Sequence, residues 1–238
     1  MPKISKEKWK TWGNVFDEFT LITILKLISQ GHFDRMQSPL FIGKESNVFT
    51  ALKGDKRIIV KIYRLETCDF NKIYSYIRTD PRYSNLKKQK RQVIFAWVQR
   101  EYRNLIKARE AGVSVPMPIA VRNNVLLLEY IGADKAAPRL KDQDPKDAHD
   151  FYKKTLENYT KLYKAGLVHA DFSEYNILIH NEKPVLIDFS QCTPVNDPNA
   201  NAYLERDIRN LAKFFNKKGL NIKEERVLAG LRKIKNAV

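Results

Sequence analysis

Three polar positions in the second half of the chain have the chemistry of metal-assisted phosphoryl transfer. Val168-His169-Ala170-Asp171 is followed five residues after the aspartate by Asn176, and Asp188 ends an apolar run at Ile187. Asp171 is of the type and in the place to accept or orient the proton of an attacking hydroxyl. Asn176 and Asp188 offer hard oxygen donors for Mg²⁺, the ion that neutralises the phosphates of ATP. Alone, Asp-x-x-x-x-Asn is a weak signal. Two short apolar runs, Ile177–Ile179 and Pro184–Ile187, flank an Asn181-Glu182 turn and make it specific. His169 reads as a core histidine that holds this loop rather than as its general base. Asp207 has two readings, a brace for the same loop or a solvated carboxylate.

A second group lies in the first half. Lys61 ends a β-branched run, with Val60 and Ile62 directed to the opposite face, and such a lysine can meet phosphates as a point charge. Glu101 falls on the inward side of a helix marked by Ile94, Val98, Tyr102 and Leu105, where it can orient Lys61; Arg100 and Arg103 fall off that side. Gly43-Lys44-Glu45-Ser46-Asn47 stands where a phosphate-covering lid belongs, with Ser46 and main-chain N–H groups as donors. It is neither G-x-G-x-x-G nor a Walker A loop. Glu129-Tyr130-Ile131-Gly132 closes the last strand of this half, so its main chain can bond an adenine edge above Leu127 or Leu128. Lys61, Glu101, Asp171, Asn176 and Asp188 together make the pattern of protein-kinase-like enzymes.

The elements that must carry these residues follow from spacing and turn chemistry. A helix is expected over Lys6–Gln30, stopped at Gly31. Strands are expected at Leu40–Ile42, Val48–Leu52 and Arg57–Tyr63, and a hairpin at Val115–Val121 and Val125–Tyr130 over Asn123-Asn124. Between Arg64 and Arg91 amphipathic order is lost and Thr79-Asp80-Pro81 interrupts, so this segment is expected to be a mobile basic insertion. A linker with Pro138 and Pro145 leads to a helix striped by Tyr152, Leu156, Tyr159 and Tyr163. Two helices near Asn201–Lys217 and Lys223–Asn236 close the chain.

The expected fold class is α+β, a two-lobed protein-kinase-like fold. Its N-lobe is an antiparallel sheet with one main helix, its C-lobe is mainly helical, and it has an extra N-terminal helix and no activation segment. The expected domains are residues 1–37 as a helical extension, 38–131 as the N-lobe with the insertion near 65–91, and 132–238 as the C-lobe, with a nucleotide cleft between lobes.

Composition narrows the class. With 43% hydrophobic and 29% charged residues the chain is expected to be a soluble, cytoplasmic protein with no membrane span. Cys68 and Cys192 form no metal or redox motif, and both are expected to be reduced. The net charge of +16 is uneven. From Lys72 to Arg109 eleven basic residues face two acidic ones, a net of +9; from Glu205 to Val238 ten face four, a net of +6. Such segments are either solvated helix faces or contacts to phosphate backbones.

The chain resembles the RIO family of atypical serine/threonine protein kinases from Leu40 to Phe215, and its type-one subfamily in particular. The resemblance lies in Gly43-Lys44-Glu45 with Asn47-Val48, in Ile131-Gly132 leading to Ala137-Pro138-x-Leu140-Lys141, and in His169-Ala170-Asp171-x-Ser173-Glu174-Tyr175-Asn176. Asp188-x-Ser190-Gln191, Asp197-Pro198-x-Ala200 and Asp207 extend it. It implies an ATP- and Mg²⁺-dependent (Mn²⁺ also fitting) kinase or ATPase that autophosphorylates and acts on a small ribosomal subunit precursor and its rRNA, not on DNA. It also implies that Lys61 binds ATP, that Glu129 and Ile131 contact adenine, that Asn176 and Asp188 bind metal, and that Asp171 accepts the proton. Asp188 is in addition a candidate for covalent phosphorylation. In the family a small hydroxyl residue precedes the lid glycine; here Ile42 stands there. Aminoglycoside and choline kinases share the Asp171–Asn176 spacing, and a catalytically silent ribosome-binding module is a further alternative. The Ser173-Glu174-Tyr175 interior and the basic segments favour the RIO reading over the first, and the five intact residues weigh against the second.

Overall fold

The structure is a computed structural model that describes residues 16–235. The chain forms two compact units. The first contains residues up to Tyr74, Leu86–Tyr102 and Pro118–Tyr130; the second contains Ser75–Asn85, Arg103–Met117 and the chain from Ile131 onward.

The first unit is a five-stranded antiparallel sheet in the order β1-β2-β3-β5-β4. Its strands are β1 (Arg35–Ile42), β2 (Ser46–Lys53), β3 (Lys56–Tyr63), β4 (Pro118–Arg122) and β5 (Val125–Glu129). Helix α1 (Glu18–Ser29) begins later than the spacing suggests, because Asp17 caps it by accepting the Thr20 N–H at 2.9 Å. The expected turns at residues 6–15 lie outside the described residues. Leu21, Ile24, Leu27 and Ile28 of α1 share one core cluster with Phe49, Ala51, Ile58, Val60, Ile62, Val125 and Leu127. Side chains alternate along a strand, so Ile59, Lys61 and Tyr63 take the other face of the sheet. Asn124 Nδ2 donates to Thr20 Oγ1 and to the Tyr63 carbonyl at 2.9 Å each, and Asn123 Nδ2 donates to Thr23 Oγ1 at 3.0 Å. The β4–β5 turn thereby pins α1 to the sheet.

The expected mobile insertion is a correction. Helix α2 (Phe70–Ile77) and a 3-10 turn (Pro81–Tyr83) occupy it, and Leu65, Cys68, Ile73, Tyr76, Ile77 and Asp80 are buried. Ile73, Tyr76 and Ile77 form a short apolar stripe at helical spacing, too brief to stand out among the basic residues around it. Helix α3 (Lys90–Glu110) follows and stops at Gly112, whose φ of 72° suits the left-handed end of a helix.

The second unit is mainly helical. Helices α4 (Ala148–Lys164), α5 (Ala200–Asn216) and α6 (Glu224–Lys235) accompany two small antiparallel pairs, β6 (Leu167–Val168) with β9 (Thr193–Pro194) and β7 (Ile177–His180) with β8 (Lys183–Leu186). The buried residues of α4 are Phe151, Thr155, Asn158, Tyr159, Leu162 and Tyr163, so the expected stripe holds at Tyr159 and Tyr163 but not at Tyr152 and Leu156. Asn181 and Glu182 have φ of 51° and 56°, the backbone that a two-residue hairpin between twisted strands requires. Only a turn and the two residues of β9 separate Asp188 from the start of α5 at Ala200, so the described chain has no extended activation segment.

Candidate active-site residues

Each unit carries one set of the expected site residues. In the first, Lys61 pairs with Val48 and Leu126 across β2 and β5, which makes it a mid-sheet residue rather than a surface lysine. Its Nζ meets Glu101 Oε1 at 2.8 Å, and the two side chains are 9% and 1% exposed. The Tyr63 hydroxyl donates to Glu101 Oε2. Tyr63 went unnoticed in the sequence, although its place two residues after Lys61 puts it on the same face.

Helix α3 holds Glu101, but the expectation for Arg100 fails. Arg100 is fully buried, with its guanidinium 5.3 Å from the centre of the Trp97 ring. Trp97, Arg100 and Asn104 form a second inward stripe beside Val98, Glu101 and Leu105. That stripe is partly polar, which concealed it from a search for apolar periodicity. Arg103 is exposed, as expected.

The lid is tighter than its sequence suggests. The Gly43 N–H donates to the Ser46 carbonyl at 3.0 Å, which closes the turn. A Cβ at Gly43 would come within 2.8 Å of the Phe41 ring and 2.9 Å of that carbonyl. Lys44 is exposed, and Ser46 opens β2 opposite Tyr63. Glu129 ends β5 opposite Ile58. In the second unit, the Ile131 carbonyl accepts from Ala137 N at 2.9 Å.

The remaining residues sit on two loops of the second unit. Ala170 has φ of 64°, a left-handed conformation, and the peptides on either side of Asp171 are gripped from α5. Asp207 Oδ2 accepts from Ala170 N at 2.8 Å and Oδ1 from Phe172 N at 3.0 Å, and the Tyr159 hydroxyl adds a third bond at 2.8 Å. Of the two sequence readings of Asp207, the brace is correct. Asn176 Nδ2 donates to the Asp171 carbonyl at 2.8 Å and to its Oδ2 at 3.2 Å. The Ile187 N–H donates to the Asn176 carbonyl at 3.0 Å, so the β7–β8 hairpin brings Asn176 and Asp188 to one end. Asp188 has φ of 62°, and its Oδ1 accepts from Ser190 Oγ at 2.8 Å. Non-glycine residues in that region are costly and cluster at functional sites.

His169 cannot act as a base here. It is fully buried between Phe172 and Phe189, with ring centroids 5.4 and 4.8 Å away. Its Nε2 lies 3.1 Å from the Ile187 carbonyl, an acceptor only, so Nε2 carries the proton. Nδ1 is buried with no hydrogen-bond partner. Burial lowers the His169 pKa to about 4, while burial raises that of Asp207 to about 6 against the pull of its three hydrogen bonds.

These two groups have opposite linkage to stability. His169 contributes stability that is present above the ordinary 6.5 and is lost as pH falls through about 4. Asp207 contributes stability that is present below 3.8 and is lost as pH rises through about 6. Asp207→Asn places an N–H against a donor and should cost about 3 kcal/mol of stability at pH 7, read by denaturant unfolding. An unchanged midpoint would remove the brace.

The donor set has the chemistry for Mg²⁺. The Asn176 amide oxygen and the Asp188 carboxylate are hard oxygen groups, and Mg²⁺ is commonly held by one or two such side chains together with phosphate oxygens and water. Among the described residues no cluster of three His, Cys, Asp or Glu side chains is arranged for a metal. No described helix is long and apolar enough to cross a membrane.

An antiparallel five-stranded sheet with a buried Lys–Glu pair, and a mainly helical unit whose loops carry Asp171, Asn176 and Asp188, define an α+β fold of the protein-kinase class. Comparison with known proteins narrows it. The RIO domain family matches residues 47–228. The chain is 44% identical over 215 residues to the RIO-type serine/threonine-protein kinase Rio1 of Haloferax volcanii, covering 90% of this chain and 74% of that protein. It is 42% identical over 214 residues to the protein of the same name from Methanocaldococcus jannaschii, covering 89% and 73%. Among solved structures, the ADP/Mg²⁺-phosphoaspartate complex of the Rio2 kinase from Chaetomium thermophilum superposes with a TM-score of 0.65 at 22% identity. That match covers 84% of this chain and 61% of the other, so the chain spans about three-fifths of that structure. The chain belongs to the RIO family, whose members compared here are named serine/threonine-protein kinases.

Proposed function

We propose that this chain is an ATP- and Mg²⁺-dependent serine/threonine phosphotransferase of the RIO type that acts on a maturing small ribosomal subunit. The observation that carries the phosphotransfer reading is the buried Lys61–Glu101 pair at 2.8 Å. Desolvating two charges is costly, and a silent binding module gains nothing from it. In this reading Glu101, fixed by Tyr63, aims the Lys61 ammonium at the phosphates of ATP. The Glu129 and Ile131 main chain meets the adenine, and Gly43, Lys44 and Ser46 cover the phosphates. Asn176 and Asp188 hold Mg²⁺, or Mn²⁺ with similar oxygen chemistry, which supplies charge neutralisation on the transferred phosphoryl group. Asp171 takes the proton of the attacking hydroxyl. The Rio2 kinase complex holds a phosphoaspartate, and Asp188 is the corresponding acceptor proposed here; its oxygen would form the new bond to phosphorus as the bond to ADP breaks.

The basic segments support an rRNA partner. Lys87 and Lys88 are exposed, whereas the Lys90 amine donates to the Glu66 carbonyl at 2.7 Å. ATP turnover and particle binding should therefore be measured with purified small-subunit particles at rising salt. Binding is expected to fall linearly in log–log form, by about one unit of slope per phosphate contact, and Lys87→Glu with Lys88→Glu should flatten that slope while sparing ATP binding. Particle affinity insensitive to both would remove rRNA from the reading. In the same incubation with labelled ATP, autophosphorylation is expected at Ser84 or Ser75, both exposed.

A further inference from the structure

Two chains of hydrogen bonds lead from residues 75–85 to the two reactive loops of the second unit. The first begins at Asp80, which is 1% exposed. Its carboxylate takes the Arg82 guanidinium, with Nη2 on Oδ2 at 2.6 Å and Nε on Oδ1 at 2.9 Å. Arg82 Nη1 and Nη2 both donate to Asn104 Oδ1 at 3.1 Å. Fully buried Asn104 then donates its Nδ2 to the carbonyls of Phe189 at 3.1 Å and Cys192 at 2.7 Å. A guanidinium only donates and a carbonyl only accepts, so a single orientation of the Asn104 amide satisfies every contact. The turn it grips directly follows Asp188.

The second chain begins at Tyr76. Its ring stacks on Tyr203 of α5 at 5.4 Å between centroids, and its hydroxyl interacts with the Arg206 side chain and the Tyr203 hydroxyl. The Arg206 guanidinium lies 5.2 Å from the centre of the Tyr203 ring and donates to the Ala170 carbonyl. That carbonyl belongs to the peptide entering Asp171. Asp207 holds this loop through its N–H groups, and Arg206, the adjacent residue, holds the carbonyl between them.

We propose that residues 75–85 are a positioning brace with two arms: Arg82, through Asn104, sets the Phe189–Cys192 turn behind Asp188, and Tyr76, through Arg206, sets the Ala170 peptide that aims Asp171. The proposal rests on the reading of Asp171 and Asp188 as the reacting and metal-holding carboxylates. Arg82 and Tyr76 are positioning residues, since each acts through another side chain. Filler in a surface insertion has no need of a buried carboxylate with a forked cation, nor of two arms that both end on main-chain carbonyls beside the reactive aspartates.

The test uses the full chain as wild type, Arg82→Met, Arg82→Lys and Tyr76→Phe, with two readouts. Amide hydrogen exchange without nucleotide should accelerate about tenfold at Cys192 in Arg82→Met, the cost of about one hydrogen bond, and Arg82→Lys should recover part of the protection. Tyr76→Phe removes a single hydroxyl and should instead accelerate exchange at Ala170 and Phe172. In ATP turnover, Arg82→Met should raise the Mg²⁺ concentration needed for half-maximal rate, whereas Tyr76→Phe should lower kcat and leave the Mg²⁺ requirement unchanged. Exchange rates at Cys192, Ala170 and Phe172 unchanged in the variants would overturn the brace. So would changes spread evenly over the chain in proportion to lost Tm. Failure of the wild type to turn over ATP would count against the proposed function, while the exchange measurements would still decide on the brace.

Discussion

Asp188→Ala should abolish Mg²⁺-dependent ATP turnover, with a loss of about 10³-fold or more. The carboxylate is one of two hard oxygen donors brought to one end of the β7–β8 hairpin, and an apolar side chain cannot replace it on a dication. Its main chain already adopts a left-handed conformation, with φ of 62°, and Ser190 fixes Oδ1 at 2.8 Å. Alanine tolerates that backbone no better than aspartate and loses the Ser190 bond, so turnover should be read beside a thermal melt. Asp171→Ala is the contrasting variant. In the proposed function its carboxylate takes the proton of the attacking group, so nucleotide binding should persist while transfer slows. Wild-type turnover by the Asp188 variant would end the assignment of the metal site, and equal loss of nucleotide binding in both variants would merge roles that the two loops keep apart.

The second large effect concerns the ion pair of the first unit. Lys61→Met removes the cation that Glu101, 1% exposed, meets at 2.8 Å. Removing one partner of a buried pair costs about 3–5 kcal/mol, so both stability and turnover should fall. Replacing both partners separates the two effects. Lys61→Met with Glu101→Leu removes the buried carboxylate as well and should recover most of the stability, although the Tyr63 hydroxyl then loses its bond to Glu101. Turnover should stay lost, because no cation remains to meet phosphates. Denaturant unfolding with ATP turnover on the three proteins gives the cycle. A double variant as unstable as Lys61→Met would mean that the pair is held for packing and not for its charges.

Much of the fold could be read from the chain because local signals agreed with the outcome. β-Branched runs bounded by turn residues gave the strands, and the Asn181-Glu182 turn gave the hairpin that holds Asn176 and Asp188. What escaped was polar burial. Asp80 and Asn104 are buried on the Arg82 guanidinium and Arg100 is buried beside Trp97, and no periodicity of apolar residues reports such polar burial. Residues 65–91 were misread for a related reason: α2 is only eight residues long, and its stripe of Ile73, Tyr76 and Ile77 becomes meaningful once Tyr203 stands opposite Tyr76. Glu101 was placed correctly by its spacing from Val98 and Leu105. Tyr63 was overlooked because a tyrosine at a strand end has many ordinary roles.

The turn that pins α1 also constrains the order in which the chain can become structured. Asn124 reaches Thr20 across 104 residues, and the first unit is assembled from three stretches separated by pieces of the second. During synthesis α1 can pack on β2 and β3 first, but its cover stays incomplete until Val125 and Leu127 of the β4–β5 hairpin are available. Contacts of such high sequence separation slow folding, because loop closure precedes any gain from packing. A nascent chain halted before Asn124 would hold four of the five strands, with the β3 edge that pairs with β5 open to association with other chains. For a protein of this topology, completion of one short hairpin governs when helix α1 is fully covered.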